Sequence, residues 1–243
     1  MTLRVDLVPN PPYPQPVLLA DVFYGSAVGL LLAGGARAVW VAKSVRAARI
    51  LAEEGGLLLG EEEGLPPEGF HQGLSLQTLG RLRLEGQTCV LLSRDLAASL
   101  EQMPVGSALA YFRNARHAVQ YALAKQITTV VAAAQALEPS LANTVAAGFI
   151  AKRLHQSLEQ PNALQEGARL AISLLKSFPD PQESLVQSEL GQRLLKAGQS
   201  EELALGSLVS VEDKVPRLCQ VRVLEAQRYG LSKDRYGFCF QAG

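Results

Sequence analysis

The sequence predicts a three-layer α/β/α domain with a largely parallel or mixed sheet, and three observations carry that prediction. Short apolar runs recur along the chain at intervals that leave room for a helix between them. The runs are apolar throughout rather than alternating, which is the pattern of strands buried on both faces. Helical spacing of apolar residues fills the gaps, so strand and helix alternate through roughly the first 160 residues. With 243 residues, 48% of them hydrophobic, the chain can bury such a sheet within one domain spanning 1–243.

Each element has a local reason. Pro9, Pro11, Pro12, Pro14 and Pro16 make the start extended, because every proline ring fixes φ and removes a donor. Val17-Leu18-Leu19-Ala20 is the first predicted strand and ends at Asp21; similar runs follow at Ala38–Ala42, Leu57–Leu59, Thr88–Leu92, Leu109–Phe112 and Thr128–Ala133. Val45, Ala48, Arg49 and Ala52 keep helical spacing among the charged Lys43, Arg46 and Glu53. Asn114 is the predicted N-cap of a helix with the stripe Ala115, Ala118, Val119 and Ala122. A longer helix is expected from about Leu141 to Leu158, with Leu141, Val145 and Phe149 on one side. Ala163–Ser177 and Glu183–Ala197 read as two more helices, separated by Phe178-Pro179-Asp180-Pro181, with Gly198 placed to end the second. Leu218–Glu225 alternates like a strand, and the aromatic tail Tyr236–Phe240 is expected to be packed.

Composition excludes several function classes. Lys+Arg and Asp+Glu are equal at 23 each, which argues against a general nucleic-acid binder, whose affinity rests on a basic surface. No stretch approaches the roughly 20 apolar residues of a membrane span, and no membrane partner is expected. Met1–Asn10 carries Arg4 and Asp6 without a long apolar run, which speaks against a signal peptide. Cys89, Cys219 and Cys239 are odd in number, widely spaced and lack metal-ligand spacing, so they read as reduced thiols; the expected location is cytoplasmic.

In open α/β sheets ligands bind beyond the C-terminal ends of the strands. Three polar clusters occupy such positions: Asp21-Val22-Phe23-Tyr24-Gly25-Ser26; Gly60-Glu61-Glu62-Glu63-Gly64 with Gly69-Phe70-His71-Gln72-Gly73; and Ser93-Arg94-Asp95. Each has a purely structural reading beside the functional one. Asp21 and Ser26 suit the start of a helix, Glu61–Glu63 suits a solvated acidic turn, the glycines suit turns, and a lone His71 suits a loop. There is no G-x-S-x-G around Ser93, no P-loop, and no G-x-G-x-x-G between Gly29 and Gly35. Taken together, the clusters allow a chemistry. Asp21 and Glu61 can share Mg²⁺, a hard ion that takes oxygen ligands, and the glycine-rich loop can offer N–H groups to a phosphate.

Read in order, these stretches resemble the ComB-type 2-phosphosulfolactate phosphatases along most of the chain. The family's D-V-x-R-A-[ST] is similar to Asp21–Ser26, and G-A-x-x-V is matched by Gly35-Ala36-Arg37-Ala38-Val39. G-E-x-x-G and G-F-D-x-G-N-S-P resemble Gly60–Gly64 and Gly69–Leu76, and x-N-A resembles Arg113-Asn114-Ala115. Ala147-Gly148, Ser188-Glu189-Leu190-Gly191 and Leu194–Gly198 resemble later motifs. The departures fall on polar positions: Tyr24 replaces an arginine, His71 and Leu74 replace aspartate and asparagine, Ser93-Arg94-Asp95-Leu96 replaces T-N-G-T, and Ala142-Asn143 replaces an E-D pair.

The resemblance implies a Mg²⁺-dependent phosphatase acting on a small anionic phosphate ester, with Asp21 and Glu61 as catalytic and metal residues. Ser26, Gly73, Ser75, Arg94 and Asn114 are then the expected phosphate contacts. The substitutions imply weakened Mg²⁺ affinity and keep two alternatives open: an inactive relative that binds a metabolite or a protein partner, and a different enzyme that uses His71 and Arg94. A homodimer is common for such domains.

Overall fold

The computed structural model describes residues 2–62, 64–136, 138–158, 163–232 and 235–243; of the predicted acidic turn, Glu63 lies outside them. The elements run β1 (Thr2–Asp6), β2 (Leu18–Ala20), α1 (Phe23–Ala33), β3 (Ala38–Ala42), α2 (Val45–Ala52), β4 (Leu57–Gly60), α3 (Leu76–Leu79), β5 (Thr88–Leu92), α4 (Arg94–Leu100) and β6 (Ala108–Ala110). A 3₁₀ turn at Phe112–Asn114 leads into α5 (Ala115–Ala124), then β7 (Thr129–Ala132), α6 (Leu141–Ser157), β8 (Ala163–Leu164), α7 (Glu166–Leu174), α8 (Pro181–Gln187), α9 (Glu189–Lys196), α10 (Ser200–Ser207), β9 (Pro216–Leu224), α11 (Ala226–Tyr229) and β10 (Arg235–Ala242).

Among the described residues the strands form one ten-stranded sheet in the order β4-β5-β3-β10-β9-β6-β2-β7-β1-β8, with helices around it in a three-layer α/β arrangement. Six neighbouring pairs are parallel. The antiparallel pairs all involve the C-terminal β9–β10 unit, which joins β3 to β6. The sheet is therefore mixed because the tail closes the gap between two parallel halves. The parallel strands are the apolar runs: Leu18, Leu19, Val39, Val41, Leu91, Leu109, Val130 and Val131 are all at most 1% exposed.

Several predicted boundaries move. Thr2–Asp6 is a strand that precedes the proline segment; Asp6 takes hydrogen bonds from Arg4 Nε at 2.8 Å and from the Tyr13 hydroxyl at 2.8 Å. The strand expected to run to Phe112 ends at Ala110, because Asn114 Oδ1 accepts from Tyr111 N at 2.9 Å and tightens the chain into the 3₁₀ turn. Asn114 thus spends its side chain behind itself and does not cap α5. Ala163 and Leu164 belong to β8 beside β1, and the helix begins only at Glu166. The helix expected over Glu183–Ala197 is broken at Ser188, whose backbone is extended (φ −72°, ψ 154°). Its hydroxyl donates to Leu185 O at 2.7 Å and accepts from Gly191 N at 3.0 Å, ending one helix and starting the next. Gly198, with φ 73°, closes α9 as expected.

Close backbone approach fixes the layer under β1. A Cβ on Gly148 of α6 would stand 2.2 Å from Ala171 O of α7. Gly148→Ala is therefore expected to force α6 and α7 apart and lower the unfolding free energy by about 2–3 kcal/mol, measured by urea titration.

Candidate active site

The C-terminal ends of β2, β4, β5 and β7 open on one cleft. Its floor is a small pocket of about 30 Å³ lined by Asp21, Tyr24, Asp95, Asn143 and Arg193, among others. That is room for a water or two. Beside it lies a groove of about 590 Å³ that shares Tyr24, Asp95 and Arg193 and adds Lys43, Glu61 and Arg94.

Asp21 ends β2 and is 3% exposed. Its Oδ1 accepts from Tyr24 N at 2.8 Å and Gly25 N at 3.1 Å, the free donors of the first turn of α1. Burial pushes its carboxyl up to about 6, opposed by those two hydrogen bonds and reinforced by the nearby Asp95 carboxylate. Asn143 braces this corner: its Oδ1 accepts from Val22 N at 2.9 Å and its Nδ2 donates to Ala133 O at 3.0 Å. The residue standing where the resembling family has an acid is thus a strut between the β2 and β7 ends.

Tyr24 lines both compartments. Its phenol is pushed up to about 12, chiefly by burial and then by the negative charges of Asp21, Asp95 and Glu61, with Arg193 opposing. It stays protonated and can serve as a hydrogen-bond donor. Asp95 is carried in by α4 although β5 and β2 stand five strands apart in the sheet, about 20–25 Å if the sheet were flat. The approach is held by two hydrogen bonds from the β7 end, Ala134 N to Ser99 Oγ at 3.1 Å and Ala136 N to Asp95 Oδ1 at 3.3 Å. Arg193 arrives from the opposite side on α9, the helix that the break at Ser188 starts anew.

The predicted site residues separate into two groups. Asp21, Glu61 and Arg94 line the cleft. Asp95, and not Glu61, shares the small pocket with Asp21; Glu61 stands in the groove, with Oε1 accepting from Leu74 N at 2.7 Å. Gly73 serves that contact, since a Cβ there would lie 2.5 Å from Glu61 Oε1. Ser26 is completely buried and its hydroxyl donates to Val22 O within α1, so it has no surface for a phosphate. Asn114 is likewise completely buried, donating to Leu109 O and Lys214 O at 3.1 and 3.3 Å. Ser75 caps α3 and donates to Glu202 Oε1 at 2.7 Å, outside the cleft. His71 Nδ1 accepts from Leu58 N at 3.1 Å, which spends it on the loop beside β4.

Sequence reasoning missed Tyr24 as a donor, Asp95 as the partner of Asp21, and Arg193 altogether. Asp95 lay within a cluster already singled out at a strand end. Arg193 carried no signal beyond being a cation on an amphipathic helix. The described lining of the groove holds five carboxylates (Glu61, Glu62, Asp95, Glu138 and Glu189) against three cations (Lys43, Arg94 and Arg193), so it is net acidic. Among the described residues no three of His, Cys, Asp and Glu converge as a complete metal-binding group, and no helix is long and apolar enough to cross a membrane.

The chain is similar in sequence to several known proteins. A probable 2-phosphosulfolactate phosphatase of Thermus thermophilus is 29% identical over 230 residues, covering 90% of this chain and 94% of that protein. A protein of the same description from Deinococcus radiodurans is 29% identical over 228 residues, with 90% and 93% covered. Another, from Thermotoga petrophila, is 27% identical over 220 residues, with 88% and 95% covered. The model of the 2-phosphosulpholactate phosphatase family matches residues 2–220, which takes in β1 to β8, the first part of β9 and the described lining of the cleft, and the chain belongs to that family.

Proposed function

We propose that the protein is a Mg²⁺-dependent phosphatase acting on a small anionic phosphate ester bound in the groove between the strand ends and α9. The observation that carries this reading is the buried Asp21 at the end of β2, paired with Asp95 and faced by Arg193. Family membership supports the reaction class, because the relatives are described as probable 2-phosphosulfolactate phosphatases.

The donor set fits Mg²⁺. Its sites commonly use one or two carboxylates and complete the shell with waters and substrate phosphate, so Asp21 and Asp95 would hold it. A net acidic groove also repels a phosphate unless a cation stands between them. When bound, Mg²⁺ supplies neutralisation of the phosphate charge. The remaining roles fall to the chain itself. Arg193 and Arg94 bind the phosphate oxygens, and the protonated Tyr24 hydroxyl donates to one of them. Glu61, held by Leu74 N through Oε1, orients a water and takes its proton at Oε2. Asn143 and the first turn of α1 fix Asp21 in place.

The test is a phosphate-release assay on 2-phosphosulfolactate and p-nitrophenyl phosphate, in MgCl₂ and in EDTA. Turnover is expected in MgCl₂ alone. It should fall at least about 100-fold in Asp21→Asn and in Glu61→Gln, with both variants folded. Absence of turnover on both esters in MgCl₂ overturns the reading.

A further inference from the structure

β9 leaves a long edge of the sheet open. It runs beside β6 only at its start, where Arg217 is in register with Ala108. Leu218 N donates to Ser107 O at 2.8 Å, and Leu218 O accepts from Gly106 N at 2.8 Å. Cys239 then faces Gln220 and Phe240 faces Leu218, so Cys219 is an extra residue on β9. Such a bulge bends its strand, and here β9 parts from β6. From Gln220 to Leu224 one side of β9 pairs with β10, and the other takes no backbone hydrogen bond among the described residues. The terminal strands are less open. β8 is two residues long, and β4 is closed by His71 N donating to Leu58 O at 2.8 Å and Gly60 N to Gln72 O at 3.0 Å.

A bare edge is a template for another strand, and sheets usually blunt it with lysine or proline. Residues 220–224 carry neither. Their one charge, Arg222, is turned onto its own chain, 3.9 Å from Glu54 and donating to the Tyr229 hydroxyl at 3.4 Å. The core face also runs on past its cover. Val221 and Phe238 are in register and packed into the core, while the next pair on that face, Val223 and Tyr236, is 50% and 39% exposed.

We propose that β9 of a second copy of this chain completes the edge, antiparallel and about a two-fold axis at Val221. A two-fold axis sets the same strand against itself, and facing residues must lie on the same side of the pleat, so the axis passes through a residue. At Arg222 it would oppose two guanidinium groups, and at Val223 the pairing would run past the end of the strand at Leu224. At Val221 it sets Val221 against Val221 and Gln220 against Arg222 of the second copy. The chain has no net charge, so two copies do not repel. None of residues 220–224 lines the cleft, and the assignment is independent of the phosphatase reading.

Sedimentation equilibrium of the full chain at micromolar concentration and low salt is expected to show a dimer. Gln220→Arg places a like charge opposite Arg222 at two symmetric positions and should weaken the dimer about 3-fold or more; Gln220→Glu should tighten it by a similar factor. Gln220 is exposed, so both variants keep the fold of the single copy. Val221→Cys in a Cys219→Ser background should join two copies through a disulfide at the axis, with copper phenanthroline taking up the two thiol hydrogens and their electrons. The Cys219→Ser chain alone should stay uncoupled. A monomeric wild type, a dimer that responds to the two Gln220 variants alike or not at all, or a folded Val221→Cys dimer that fails to cross-link overturns the proposal. The first of these results would leave the edge to a strand of another protein.

Discussion

In EDTA, Asp21→Asn is expected to raise the unfolding free energy at pH 8 by up to about 3 kcal/mol and to leave it nearly unchanged at pH 4. The folded carboxyl titrates at about 6 instead of 3.8, mainly because it is buried. Between those two values the folded chain binds more protons than the unfolded one, so wild-type stability falls as pH rises through the window and stays low above it. Asparagine keeps an oxygen to accept from Tyr24 N and Gly25 N and removes the buried charge. The difference between wild type and variant should therefore open between about pH 4 and 6.5 and be level above. Urea titrations at half-unit pH steps measure it, and a difference independent of pH would mean that the carboxylate is not desolvated. The same variant should lose turnover, so stability and activity are expected to move in opposite directions at one residue.

Glu212→Ala is expected to cost about 3–5 kcal/mol, the range for breaking a buried ion pair by removing one partner. Glu212 and Arg113 are each 8% exposed and bonded to one another through Arg113 Nε and Glu212 Oε1. Glu212 Oε2 also accepts from the Tyr111 hydroxyl at 3.0 Å, and Arg113 Nη1 donates to Leu205 O at 2.8 Å. Truncating Glu212 strands the guanidinium and the phenol together. The effect reaches α1, because the Tyr111 ring lies along Gly25 and Gly29; a Cβ at Gly29 would stand 1.7 Å from the Tyr111 hydroxyl oxygen. Replacing both charges, as Arg113→Met with Glu212→Leu, is expected to cost no more than Glu212→Ala alone, since no buried charge is left without its partner. Equilibrium urea unfolding of the two variants decides it, and a double variant much weaker than the single would show that the pair is net stabilising.

Several assignments were legible because their cause is local. The parallel strands were visible as unbroken apolar runs, since a strand covered on both faces has no position for a polar side chain. Gly198 announced the end of α9 because an L side chain rarely adopts its φ of 73°. Asp21 stood out as a polar residue ending such a run. Ser26 and Asn114 matched a motif, yet their hydroxyl and amide are consumed by Val22 O, Tyr111 N and Leu109 O. A motif records which residue is present, and burial decides whether its polar atoms have anything left to offer.

The sequence by itself determined the alternating strands and helices, the strand-end location of the polar clusters, and the family to which the chain is similar. The tertiary structure alone decided which charges meet. Asp95 reaches Asp21 across five strands because α4 is tied to the β7 end at Ala134 and Ala136. Arg193 reaches the same pocket because Ser188 breaks a helix and starts α9 across the strand ends. Strand and helix follow from hydrogen bonds and side-chain patterns within a few residues. The site depends on contacts between distant segments, such as Ala134 with Ser99 and Ala136 with Asp95, 35 and 41 positions apart, and local sequence holds no record of which distant segment will pack there.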